Sequence, residues 1–172
     1  MTSTESTESA ADRLRRNAAW LPALAVILTV AFAGGSSFTV GRTSEWFYPF
    51  WMRHFARFPM QRFWDLNELL RKVGHLAIYA VVSSAFYYSW RAWLRRRPSA
   101  AGILPRNRAA GLALISTLLL AAGDEIHQIF IPGRASRIAD VGMDLCGAYL
   151  AMILLLAARR RSEGKSAQHP AR

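Results

Sequence analysis

The chain has 172 residues, of which 52% are hydrophobic, a formal net charge of +11 and a mean hydropathy of +0.12. That is too apolar for an ordinary soluble domain of this charge, and the apolar residues come in blocks. The arginines sit between the blocks, as the positive-inside bias requires, so a bilayer is the expected partner and nucleic acid is not.

Residues 1–17 are Ser-, Thr- and Glu-rich with no apolar period, and are expected to be a disordered cytoplasmic tail ending in Arg13, Arg15 and Arg16. The first apolar block runs from about Trp20 to Val40. Ala31-Phe32-Ala33 resembles a signal-peptide cleavage site, but the block continues to full spanning length, which favours an uncleaved helix. Gly41 to Arg71 follows as an outer loop. In it Phe47, Phe50, Trp51, Phe55 and Phe58 fall near helical spacing, with Arg53 and Arg57 on another face. This predicts an amphipathic helix lying in the membrane interface, either as an aromatic anchor or as a lid or lipid-contacting element over an outward-facing site. His54 is expected to be solvated.

Three further blocks, about Val73–Trp90, Ala109–Ile131 and Ala139–Ala158, approach the roughly 20 residues that cross a ~30 Å hydrocarbon core. The expected fold is an all-α integral membrane protein. Residues 18–158 form a four-transmembrane-helix bundle with an interfacial helix in its first outer loop, and 159–172 form a basic cytoplasmic tail. The segment Arg91–Arg108 carries six arginines and no acid, and Arg159, Arg160 and Arg161 follow the last block. With the basic N-terminus, these places are expected to be cytoplasmic. The first outer loop is also basic, moderated by Glu45, Asp65 and Glu68. The single cysteine, Cys146, lies in an apolar block and reads as a small core residue.

Two polar clusters interrupt these blocks. Ionisable groups in lipid-length segments are costly, so they usually face a bundle interior and mark a site. Lys72, His75 and Tyr79 are spaced i, i+3, i+7 on one helix face; Asp124 and Gln128 are i, i+4, with Glu125 and His127 beside them. Asp140, Asp144 and Gly147 form a third stripe, with Ala148 and Ala151 small enough for close packing. At about 1.5 Å per residue, Asp124 lies roughly 22 Å above the inner end near Ala109, and Asp144 roughly 21 Å above Ala158. His75 sits about 4–5 Å below Lys72 at the outer end of its helix, so all three stripes reach the outer third of the bilayer. The turn Pro132-Gly133-Arg134 would set Arg134 over the same mouth, where with Lys72 it could receive a carboxylate or phosphate.

Lys72-x-x-His75-x-x-x-Tyr79, then Asp124-Glu125-x-x-Gln128-x-Phe130-x-Pro132-Gly133-Arg134, then Asp140 and Gly147, resemble the VanZ family over about Leu69 to Leu150. These are small bacterial membrane proteins named for an accessory determinant of resistance to the glycopeptide teicoplanin. The resemblance implies a bacterial cell membrane and a cell-envelope role, without an agreed reaction. Two positions depart from the family's pattern: Arg71, where an aspartate usually precedes the lysine, and Asp144, where an asparagine is usual.

Four readings of the site follow. It is a buried polar network of an accessory protein, with Lys72 or Arg134 paired to Asp124, Glu125 or Asp140. Or it binds or processes an anionic envelope precursor: Lys72, Tyr79, Gln128, Arg134, Asp140 and Asp144 would bind it, and His75, Asp124, Glu125 and His127 would supply acid–base chemistry. A metal bound by His75, His127, Asp124 and Glu125, and a proton-coupled transport role, complete the set. With no helical metal signature, G-x-S-x-G or phosphate-loop motif, no metal and no cofactor are expected.

Overall fold

A computed structural model describes residue 14 and residues 17–33, 40–95, 105–131 and 137–168. The described residues form five helices and no strand: α1 (Leu21–Ala33), α2 (Val40–Phe55), α3 (Met60–Leu94), α4 (Pro105–Ile129) and α5 (Ile138–Gln168). Three are long and apolar enough to cross a membrane, over Met60–Leu94, Asn107–Ile129 and Ile138–Ser162. The expected disordered tail falls almost wholly outside the described residues, as do Pro132, Gly133 and Arg134.

Helix α3 is the centre of the bundle and packs on all four others, most extensively on α5. It starts at Met60 rather than near Val73. Its first turns are polar and so escape a search for apolar blocks. Gln61 bonds Asp65 at 3.0 Å and Lys72 pairs with Glu68 at 3.2 Å, both at helical i, i+4 spacing. Phe63, fully buried, fixes this extension under α2: its ring lies 5.6 Å from Phe47, 5.7 Å from Tyr48 and 5.8 Å from Trp51. The outer loop is thus largely helical, α2 plus the start of α3. Val40 opens α2 instead of closing the first apolar helix, and α1 has only 13 residues, about 20 Å of rise.

Helices α3 and α5 run parallel. Arg71 meets Asp140, His75 meets Asp144, and the Arg159 guanidinium lies 5.5 Å from the centre of the Tyr87 ring. Helix α4 runs against them, its Ser116 hydroxyl accepting from Trp90 Nε1 at 3.0 Å. Trp20, just before α1, packs edge-on against Trp90 at 4.9 Å. Trp20, Trp90, Ser116 and Arg159 therefore gather at one end of the bundle, and Arg71 and Asp140 at the other.

Small residues let the parallel pair approach closely. Ala148 is fully buried and Ala151 nearly so. A Cβ at Gly147 would run into the backbone carbonyl oxygen of Leu76 and lie 2.9 Å from its carbonyl carbon. The neighbour here is backbone, which cannot swing aside. Gly147→Ala should therefore force α3 and α5 apart and cost about 1–3 kcal/mol. Thermal unfolding of the purified variant in detergent checks this, and an unchanged midpoint would show that the two helices have room to spare.

Candidate functional site

Arg71, His75, Tyr79, Ser83 and Tyr87 follow one another at four-residue intervals along α3, the ridge that a helix offers a packed neighbour. On α5, Asp140 and Asp144 repeat at the same interval. Each rung thus joins residues 69 apart in sequence: Arg71 Nη1 donates to Asp140 Oδ2 at 2.8 Å, and His75 Nδ1 bonds Asp144 Oδ1 at 2.9 Å. The Asp144 side chain is 1% exposed, so the imidazole is its chief solvent substitute. With the carboxylate as acceptor, the Nδ1 proton belongs to the ring and Nε2 stays available.

One turn deeper, Tyr79 is 2% exposed and its ring lies nearly parallel to that of His75, with centroids 6.5 Å apart. Its hydroxyl and that of Ser83 find no hydrogen-bond partner among the described residues. The Tyr79 hydroxyl lies in the same region of the bundle as Asp144, Asp124 and Glu125.

Helix α4 supplies the third wall. Glu125 and Gln128, three residues apart, both point inward and are buried. Gln128 Nε2 donates to Asp124 Oδ2 at 2.7 Å. Glu125 Oε2 accepts the backbone N–H of Arg137 at 2.8 Å, satisfying an amide at the start of α5 and tying α4 to it. Above these contacts Glu68 lies 3.9 Å from Arg137.

The structure brings together His75, Tyr79, Asp124, Glu125, Gln128, Asp140 and Asp144. Two residues stand elsewhere. Lys72 leans outward to Glu68 with nearly half of its side chain exposed, and His127 lies on the exposed face of α4. Arg134 falls outside the described residues. The cation that holds Asp140 is Arg71, which motif spacing had passed over. Its signal was the four-residue step back from His75. Both departures from the family's pattern, Arg71 and Asp144, are partners in the two rungs. Among the described residues no three His, Cys, Asp or Glu side chains gather so as to hold a metal ion.

Chemically, the arrangement is a half-buried imidazole oriented by a buried carboxylate, with further carboxylates and a tyrosine hydroxyl nearby. It can hold a polar group and exchange a proton with it. The Arg71–Asp140 rung does a different job, since each member alone would leave a poorly solvated charge. Arg71→Gln and Asp140→Asn should each lower thermal stability, and the double variant should lose less than their sum, with coupling of about 1–2 kcal/mol. Strict additivity in the same unfolding assay would mean that the contact contributes nothing.

A family model described as VanZ/LLP1 matches residues 18–159, well over half of the chain. No curated protein and no solved structure matches the chain.

Proposed function

The chain belongs to the VanZ/LLP1 family, and from that premise we propose that it is a multi-pass protein of the bacterial plasma membrane. In this reading it is an accessory factor of the cell envelope, altering glycopeptide susceptibility or the handling of an envelope precursor through a polar site open to the outside. Helix α1 is a fourth crossing element, α2 lies in the interface, and both termini are cytoplasmic.

The observation that carries the site is the His75–Asp144 contact, 2.9 Å long and set between spanning helices beside Tyr79 and Glu125. Lipid-length helices do not keep such a group without a reason. The orientation is supported by the arginine-rich segments. The one preceding Trp20, the one after Leu94 and the one opening at Arg159 lead from the same end of the bundle, opposite the Arg71–Asp140 rung.

A second reading has its own support. A histidine with Nδ1 held by a carboxylate and Nε2 free is the arrangement that general acid–base chemistry uses. On that reading the protein is a membrane enzyme acting on an anionic lipid-linked or peptidyl envelope precursor, with His75 moving the proton and Asp144 orienting it. Arg134 would then meet the anion at the mouth.

Deletion, wild type, His75→Ala, Asp144→Asn and Arg134→Ala can be compared at matched membrane abundance for glycopeptide susceptibility and lipid-precursor levels. All three variants should behave as the deletion while accumulating normally. Parallel loss of abundance and phenotype would reduce the constellation to a structural network. Sidedness has a separate check in a Cys146→Ser background, because Cys146 is itself exposed on the bundle surface. Single cysteines placed at 133–137 should react with an impermeant thiol reagent in intact cells; reaction only after lysis would overturn the outward-facing site.

A further inference from the structure

Away from the polar site, a cavity of about 390 Å³ opens between α2 and the first turns of α3. Trp51, Phe55 and Phe58 wall one side and Leu66 and Leu69 the other, with Arg62 and Asp65 at the rim. Its size is that of a small-molecule pocket, and its lining is almost wholly apolar. Leu66, Leu69 and Val73 follow at i, i+3, i+7, and Leu69 and Val73 are exposed, so the apolar wall continues down α3 towards the hydrocarbon.

At the rim of this cleft Arg62 shares the Phe58 ring with a second cation, Arg57. The Arg57 guanidinium lies 5.0 Å and that of Arg62 5.6 Å from the centre of the same Phe58 ring. Neither has a carboxylate partner among the described residues. The one acid at the rim, Asp65, is held by Gln61 at 3.0 Å. Two like charges sharing one ring repel each other, and an anion reaching both relieves that repulsion. The level is right too. At 35 residues α3 is about 52 Å long, so the turns before Val73 stand at the polar boundary of a ~30 Å core.

We propose that this cleft is a binding site for an anionic phospholipid, its phosphate held by Arg57 and Arg62 and one acyl chain laid between α2 and α3 along Leu66 and Leu69. The proposal is independent of the chemistry at His75 and Asp144. An apolar slot with this arginine pair at the membrane boundary matches an amphiphile, and a soluble anion would leave the aromatic wall unused. Each arginine near an anionic headgroup contributes roughly fivefold in binding.

The full-length protein in detergent, titrated with phosphatidylglycerol or phosphatidylcholine of the same chain length and read by native mass spectrometry, tests the site. Wild type should bind phosphatidylglycerol at least about tenfold more tightly. Arg57→Gln/Arg62→Gln should reduce that preference to near parity, Arg57→Lys/Arg62→Lys should keep most of it, and Leu66→Trp, which fills the slot, should weaken both lipids. Arg159→Gln/Arg160→Gln, at the opposite end, should leave the preference intact. Equal binding of the two lipids by wild type overturns the proposal even if no variant folds. So does loss of the preference on changing Arg159 and Arg160. Competition by inorganic phosphate as strong as that by phosphatidylglycerol overturns the lipid assignment in favour of a simple anion site.

Discussion

A guanidinium and a carboxylate set among apolar helices are costly singly and tolerable together. The contact between Arg71 and Asp140 therefore does more than add an attraction. It fixes how far one of the two parallel helices stands along the other. Once that register is set, the next rung follows automatically four residues on, and His75 arrives at Asp144. The Gly147–Leu76 approach lies just below and enforces the same register sterically. One pairing that satisfies charge and one glycine that removes bulk thus reach the same alignment by different physics. A slip of one residue would lose both rungs and press a side chain into backbone.

The α4 helix joins this pair by another kind of contact. Of its two inward polar residues, Glu125 accepts a backbone amide at the start of α5 and Gln128 donates to Asp124 one turn away. Two walls of the site are thus joined by side-chain rungs, and the third is tied to α5 through main chain.

Much of this could be read from residue types and spacing. The α4 and α5 blocks and the Asp140–Asp144–Gly147 stripe follow from helical periodicity, because apolar neighbours set the phase; the meeting of the polar stripes needed in addition the charge-based orientation and the rise per residue. Phase is also where the reading failed. Arg71 and Lys72 are adjacent cations about 100° apart on a helix. Only the packing of α3 on α5 says which of them turns inward. Glu125 and His127 are about 200° apart, so they cannot share a face, and the inward phase was fixed by Glu125 with Gln128. The start of α3 was hidden for another reason. Residues 60–72 are held by tertiary contact at Phe63 and by i, i+4 pairs, neither of which registers as hydropathy. Arg134 lies outside the described residues.

Because α3 is unbroken from Met60 to Leu94, Phe63 and His75 belong to one stiff rod, about 18 Å apart along its axis. The aromatic seat of α2 and the two rungs therefore act on one continuous element. Phe63 and His75 keep their spacing and relative direction for as long as that helix stays unbroken, so the place of the site along the bundle and the seat of α2 are fixed by the same rod.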